Sequence, residues 1–83
     1  MGMPRYRYEE LADEIQAEVR AGSLPVGAAL PAERRMTEIY GVSIGTVRRA
    51  VALLRERGVV ATLPAKGTFV VRSGEEDYSG EEG

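Results

Sequence analysis

Cysteine and histidine are both absent from this sequence of 83 residues. Without cysteine there is neither a disulfide framework nor a thiolate for metal or redox chemistry. Without histidine, the usual general base and the commonest ligand of transition metals are missing as well. No apolar run approaches the roughly 20 residues that a membrane span requires, and no secretory signal pattern is present. The sequence therefore predicts one small cytoplasmic domain without a cofactor or a bound metal, and little catalytic chemistry.

Charge is distributed unevenly along the chain, although the net charge is only −2. Residues 75–83 contain five acids and no base, and residues 9–18 contain five further acids. Residues 34–72 contain two acids and the following eight bases: Arg34, Arg35, Arg48, Arg49, Arg55, Arg57, Lys66 and Arg72. We therefore expect a basic face opposite an acidic face, a pattern typical of nucleic-acid binding.

The first part of the chain predicts a helix over residues 8–21. Apolar residues recur there at helical spacing, and Gly22 supplies the left-handed residue that ends a helix. Residues 23–31 are too rich in proline and glycine for a helix, so we expect a turn at Pro25 and Gly27 and a short strand over residues 28–30.

Residues 30–54 predict two helices joined by a tight turn. Pro31 suits the start of the first of them, and Gly41 is expected to end it with a positive φ. Ser43 is the natural N-cap of the next helix, which continues to Arg57 before Gly58 stops it. The inner faces of the two helices are expected to share these apolar residues: Met36, Ile39, Tyr40, Val42, Val47, Ala50, Val51 and Leu54.

The pattern changes to a β-hairpin after residue 58. Residues 59–63 and 68–72 are β-branched and aromatic runs, and residues 64–67 between them form a basic, glycine-containing tip. Two strands alone are marginally stable, so Phe69 and the valines are expected to pack onto the helices. The predicted fold is mainly α with a small β component: a winged helix-turn-helix of three helices and a C-terminal hairpin wing.

The run LPAERRMTEIYGVSIGTVRRAV followed by KGTFV resembles the DNA-binding domain of GntR-type bacterial transcription regulators. The resemblance covers residues 4–72, which we expect to form the domain, with residues 73–83 as a disordered acidic tail. The ends of the domain and KGTFV are similar to the HutC-like branch of that family. The family usually has a second domain that binds an effector and dimerises. We expect no effector site in this chain, and an excised domain and a short regulator both fit the sequence.

The resemblance implies roles for individual residues. Arg34 is implied to contact the DNA backbone or a guanine, Ser43 and Thr46 to bind phosphate, and Arg48 to reach base edges or phosphate. Lys66 and Gly67 are implied to enter the minor groove. The chemistry suits these roles, because arginine can pair with guanine through two hydrogen bonds and a helix N-terminus attracts anions. The candidate DNA-binding residues are Arg34, Ser43, Ile44, Gly45, Thr46, Arg48, Arg49, Lys66 and Gly67.

Each candidate also has a purely structural interpretation. Ser43 would cap any helix, and Arg34 or Arg35 could simply pair with Glu38 at helical spacing. Arg49 could face either solvent or a phosphate. Arg55 and Arg57 are better explained as partners of the negative end of a helix dipole than as DNA contacts. The tyrosines at positions 6, 8 and 40 are most simply core or edge residues.

The sequence departs from the family pattern at the start of the third helix. Ile44 and Gly45 stand where polar residues are usual; Ile44 could contact a thymine methyl group, and Gly45 permits a closer approach of the backbone. Ala65 replaces a glycine in the wing, which predicts a stiffer or shifted tip. Ala32 replaces the serine cap of the second helix, and Thr37 replaces a small apolar residue. These departures therefore bear on the base preference of the domain and do not alter the predicted fold.

Three classes of function follow from these patterns. The first is sequence-specific binding of double-stranded DNA for transcription regulation, on a palindromic operator if the protein forms a homodimer. The second is a winged-helix module that binds another protein, which would need an exposed apolar face and for which Ile44 is the one favourable residue. The third, an enzyme, has no phosphate loop and no nucleophile–base pair to support it. We expect neither a membrane nor a cofactor as a partner.

Overall fold

The computed structural model describes residues 5–73. Three helices are followed by a two-stranded antiparallel sheet: α1 Arg7–Ala21, α2 Glu33–Tyr40, α3 Ile44–Glu56, β1 Val60–Leu63 and β2 Gly67–Val70. The predicted winged helix-turn-helix is therefore confirmed. The predicted acidic tail lies outside the described residues except for Ser73. None of the helices in the described part of the chain is long and apolar enough to cross a lipid bilayer.

Glycines end α1 and α2 in the left-handed conformation predicted for them. Gly22 follows α1 with φ +91°, and Gly41 follows α2 with φ +66°. The N–H of Gly41 donates to the carbonyl of Thr37 at 2.9 Å, which closes the last turn of α2. The chain then turns over Val42 and Ser43, and α3 starts at Ile44. Pro31 lies one residue before the N-cap, Ala32, so α2 begins slightly later than expected.

The core lies between α1 and α3, which pack closely together, and beneath the base of the hairpin. No polar or charged side chain among residues 5–73 is buried. The buried residues are Leu11, Ala12, Ile15, Val19, Leu30, Met36, Val47, Ala50, Val51, Leu54, Val59, Val60 and Val70. Full burial of side chains such as Leu54 stabilises the fold by about 1.5–3 kcal/mol each.

Tyr40 joins the end of α2 to α1. Its hydroxyl donates to the Glu18 carboxylate, with both oxygens at 3.2 Å. Burial, together with the nearby charge of Glu18, raises the pKa of Tyr40 to about 12. The hydrogen bond therefore requires a neutral phenol, and it sets the position of α2 relative to α1.

The hairpin gains a third, very short strand from the α1–α2 connection, as the sequence predicted. Ala29 pairs with Phe69 on the free edge of β2. The N–H of Leu30 donates to the carbonyl of Thr68 at 2.8 Å, and the N–H of Val70 donates to the carbonyl of Ala28 at 2.9 Å. The additional pairing overcomes the marginal stability of an isolated hairpin.

Three predicted core residues and one predicted edge residue lie outside the core. Ile39 is 49% exposed, because the buried side of α2 is the one that carries Met36. Val71 is 50% exposed, since it follows the buried Val70 and alternation along an extended chain directs it outward. Tyr6 is 70% exposed and contacts the ring of Tyr8 instead of the core. Phe69 is half-buried on the hairpin and does not join the core.

Candidate nucleic-acid interface

Ser43 caps the first turn of α3, as predicted. Its Oγ accepts a hydrogen bond from the N–H of Thr46 at 3.1 Å and donates to the Thr46 hydroxyl, also at 3.1 Å. This cap satisfies one N–H of the first turn and fixes both hydroxyl groups beside it. Ile44, which follows Ser43, is 38% exposed. The first turn of α3 therefore presents two hydroxyl groups and one apolar side chain at the surface.

Several predicted site residues from α2 and α3 line one shallow depression of about 530 Å³. They approach each other because the tight turn at Gly41 places the start of α3 beside the start of α2. The lining residues are Glu33, Arg34, Thr37, Val42, Ser43, Ile44 and Arg48. Arg34 is exposed there and makes no side-chain ion pair or hydrogen bond to residues 5–73.

Arg48 lies on the outer face of α3, as predicted, but it has a partner that the sequence did not suggest. Its Nε donates to Oε1 of Glu33 at 2.9 Å, and the two side chains are 64% and 47% exposed. The pair connects the first turn of α2 to the second turn of α3. An ion pair this exposed adds only about 0–1 kcal/mol to stability. Its main effect is to orient the Arg48 guanidinium.

Arg49 faces the opposite flank of α3, towards the start of α1. Together with Tyr6, Tyr8 and Gly45 it lines a second depression of about 340 Å³ beside Ser43 and Thr46. The rings of Tyr6 and Tyr8 are stacked there, with centroids 5.9 Å apart and planes at 17°. Tyr8 also packs against the core, as its expected core or edge position implies. Tyr6 does not, because it is the N-cap residue that precedes α1 and lies outside the apolar stripe of that helix.

Gly45 is not needed for packing within the domain. A Cβ built at this position would meet only the Ser43 Oγ, at an ordinary distance of 3.9 Å. Glycine is less favourable than alanine by about 1 kcal/mol inside a helix, so it weakens α3 without a steric reason in the free protein. A glycine on an exposed helix start leaves room for a binding partner to approach the backbone.

The wing tip is a tight turn over Pro64, Ala65 and Lys66. Lys66 donates its N–H to the carbonyl of Leu63 at 3.0 Å, and Ala65 has φ +65°. Proline in the second position and a positive φ in the third are features of a type II turn, in which glycine is preferred where Ala65 stands. Ala65 thus adopts the backbone conformation that a glycine would adopt. Gly67 belongs to β2, so the loop is one residue shorter than predicted.

The acids of α1 are largely paired with arginines, which modifies the expected division into two faces. Asp13 accepts from Arg5 at 2.7 Å and lies 2.9 Å from Arg57 of the α3 C-cap. The Arg5 hydrogen bond, assisted by Arg57, holds the pKa of Asp13 below its usual value.

Arg57 therefore joins α3 to α1, and Arg55 donates to Thr62 of β1. Both were expected only to interact with a helix dipole. Arg35 pairs with Glu38 at 3.2 Å, an alternative foreseen from their spacing.

An exposed helix start, a preceding helix that braces it and a hairpin with a basic tip define a winged helix-turn-helix domain of the DNA-binding type. Comparison with known proteins agrees with this class. The family described as "Bacterial regulatory proteins, gntR family" matches residues 7–70. RmpR of Mycobacterium gastri is 41% identical over 71 residues, which are 83% of this chain and 26% of that protein. The chain thus spans a minor part of the length of the curated relatives it matches.

Solved structures match the fold. A transcriptional regulator from Oenococcus oeni superimposes with a TM-score of 0.78 at 31% identity, over 86% of this chain and 59% of that one. The DNA-binding domain of AraR in complex with operator ORR3 superimposes with a TM-score of 0.74 at 26% identity, over 86% of this chain and 88% of that one. The chain belongs to the GntR family of bacterial regulatory proteins, and it is a DNA-binding domain of that family.

Proposed function

We propose that the domain binds specific sequences of double-stranded DNA, with α3 in the major groove and the wing at residues 64–67 in the adjacent minor groove. The observation that carries this proposal is the clustering of Arg34, Ser43, Ile44 and Arg48 around one exposed depression at the start of α3. The operator complex of the similar AraR domain supports the same use of the fold. Regulation of transcription follows from the membership of the GntR family.

The residues around the depression suit different parts of the duplex. Arg34 and Arg48 can each pair with guanine O6 and N7, or contact a phosphate. Ser43 and Thr46 lie at a helix N-terminus, where hydroxyl and N–H groups bind phosphate. Ile44 can contact only an apolar group, so we assign it to a thymine methyl.

The remaining candidates extend the surface on both sides. Arg49 lies on the α1 flank, where a phosphate of the strand bordering the major groove would be within reach. Gly45 allows the helix to approach that strand closely. Lys66 and Gly67 would place charge and an uncluttered backbone in the minor groove, whose negative potential attracts lysine and arginine.

Selection of bound sequences from random DNA tests this assignment, with Arg34→Ala and Arg48→Ala proteins compared with the parent. Loss of preference at one base pair identifies a base contact, because phosphate contacts carry no sequence information. A uniform loss of affinity identifies a phosphate contact instead. Recovery of no common sequence by the parent would overturn the proposal.

A protein-binding winged helix is the competing function. The exposure of Ile39 and Ile44 favours it, since both are large apolar side chains on the helix-turn-helix. Ile44 lies beside Arg34 and Arg48, however, and two arginines against one carboxylate, Glu33, suit phosphate better than an apolar protein surface. Retention of a protein partner at high salt, without binding to DNA at low salt, would favour this alternative.

We also propose that two copies bind a palindromic operator as a homodimer, because two-fold half-sites match a symmetric pair of helices. Placement in the HutC-like branch rests on KGTFV and on the ends of the domain, and it remains a prediction. So do the domain limits at residues 4–72 and the cytoplasmic location. Sedimentation of the protein alone and on one or two half-sites would test the stoichiometry.

A further inference from the structure

The core supports only the base of the wing. Val60 of β1 and Val70 of β2 form a buried pair on the face of the hairpin that is turned towards α3. The next pair on the same face is Thr62 and Thr68, because side chains alternate along a strand. Burial decreases along β1 from Val60 to the exposed Thr62 and Leu63. Apolar packing therefore does not fix the outer part of the hairpin, where the tip is found.

A side chain from α3 reaches this outer part. Arg55 Nη1 donates to Thr62 Oγ1 at 3.0 Å. Thr62 Oγ1 in turn lies 2.9 Å from Thr68 Oγ1 on the neighbouring strand. One arginine of α3 is thereby joined through two hydroxyl groups to both strands of the wing. A direct hydrogen bond between Thr62 and Thr68 is a recognised source of stability in cross-strand pairs.

The same level of the hairpin is held from its other edge. The backbone carbonyl of Thr68 accepts from the N–H of Leu30 at 2.8 Å, which attaches β2 to the connection that precedes α2. Between the attachments lies a cleft of about 280 Å³, lined in part by Glu33, Arg55, Thr62 and Thr68. The wing is therefore attached to α3 on one side of this cleft and to the α1–α2 connection on the other. The turn that carries Lys66 begins only two residues beyond Thr62.

We propose that Arg55 is a positioning residue that acts through Thr62 and Thr68 to set the placement of the wing relative to α3. The inference rests on the proposed function, in which α3 and the wing occupy adjacent grooves. A wing that moves away from α3 would lose the minor-groove contact of Lys66 while α3 kept its own contacts. Arg55 thus affects binding without touching DNA.

The test uses Thr62→Val, which removes the hydroxyl but retains the shape and every charge. On a duplex recovered by selection, this variant should bind about two- to tenfold more weakly, the effect of losing one ordinary hydrogen bond. Thr62→Ser keeps a hydroxyl and should bind like the parent. Arg55→Ala should reproduce the loss, whereas Arg20→Ala, which removes an exposed arginine from the last turn of α1, should not.

The decisive measurement combines Thr62→Val with Lys66→Ala. If Thr62 acts by positioning the wing, the double variant should bind no more weakly than Lys66→Ala alone. Hydroxyl-radical footprinting should show the same loss of minor-groove protection in both single variants. Thermal unfolding of each variant establishes that it is folded at the temperature of the assay.

Two results would overturn the positioning role. One is that Thr62→Val binds with the affinity of the parent; the other is that the fold-loss of affinity in the double variant equals the product of the fold-losses in the two single variants. Failure of the proposed function has a different signature, because the parent protein itself would then show no preference for the selected duplex. If Arg55→Ala bound DNA more weakly while Thr62→Val bound like the parent, Arg55 would be identified as a direct phosphate contact. That result would also reject the positioning role.

Discussion

Arg48 and Glu33 form an ion pair across the helix-turn-helix, with Nε and Oε1 2.9 Å apart. The pair places a carboxylate in the same depression as the arginine that we assign to DNA. A carboxylate repels phosphate, so we expect Glu33 to oppose indiscriminate binding while it orients Arg48 for one geometry. We therefore expect the pair to favour specificity over affinity, as a repulsive group at an interface can.

Glu33→Gln should bind DNA of unrelated sequence about two- to fivefold more tightly than the parent, since a nearby charge in water is worth about 1 kcal/mol. It should discriminate less well between the selected duplex and that DNA, because a neutral amide at position 33 orients the Arg48 guanidinium more weakly than a carboxylate does. Fluorescence anisotropy with both duplexes measures the two affinities. Glu38→Gln is the matched control, as Glu38 pairs with Arg35 and does not line the depression. Unchanged discrimination in Glu33→Gln would contradict this role.

Gly45→Ala should separate stability from binding. The added Cβ meets no close neighbour, so α3 should be stabilised by up to about 1 kcal/mol. Affinity for the selected duplex should fall, because the methyl group occupies the space in which we place the DNA backbone. Urea denaturation gives the free energy of unfolding, and fluorescence anisotropy gives the affinity for the selected duplex. Full affinity in a stabilised Gly45→Ala protein would show that no close approach occurs there.

Ala65→Gly should stabilise the wing turn. Ala65 has φ +65°, where a residue with a Cβ costs about 1–2 kcal/mol. The greater freedom of glycine in the unfolded chain offsets about 0.4–1 kcal/mol of that gain. The net increase in the free energy of unfolding is therefore expected to lie between about 0 and 1.6 kcal/mol, as measured by urea denaturation. A decrease would mean that the turn tolerates alanine without strain.

The raised pKa of Tyr40 predicts a loss of stability in alkaline solution. Its pKa is raised in the folded protein from 10.0 to about 12, so the folded state favours the neutral phenol. That preference is fully present below pH 10 and is lost as the pH rises from 10 to 12. The free energy of unfolding should therefore fall less steeply over this interval in Tyr40→Phe than in the parent. Parallel curves for the two proteins would contradict the raised pKa of Tyr40, which arises first from burial and then from the charge of Glu18.

Local signals were sufficient to predict the elements of the fold. Each of these signals depends on neighbours within a few residues. They are the apolar stripe of α1 (Leu11, Ile15 and Val19), the glycines after α1 and α2, and the Ser43 cap. Ile39 was misassigned because a short helix presents apolar residues on more than one side, and only the crossing angle of the helices decides which side is buried.

The resemblance to the family named three residues that lie together in the structure, Arg34, Ser43 and Arg48. It did not give their contacts, and their role in DNA binding stays a prediction. The partner of Arg48 is 15 residues away, and Arg57 bonds to Gln16 across 41 residues. Hydrogen bonds over such separations depend on how the helices pack, which a single sequence does not encode in any local pattern. Helical spacing suggested only near neighbours, as for Arg35 and Glu38.

We propose that this surface reads the sequence of duplex DNA. The most direct measurement is the affinity for the selected duplex and for a scrambled duplex of the same composition, over a series of salt concentrations. We predict an affinity at least about 10³-fold higher for the selected duplex at physiological salt, and a linear fall of log K with log salt as phosphate contacts release counterions. Equal affinities for the two duplexes, or an affinity that salt does not change, would contradict the account.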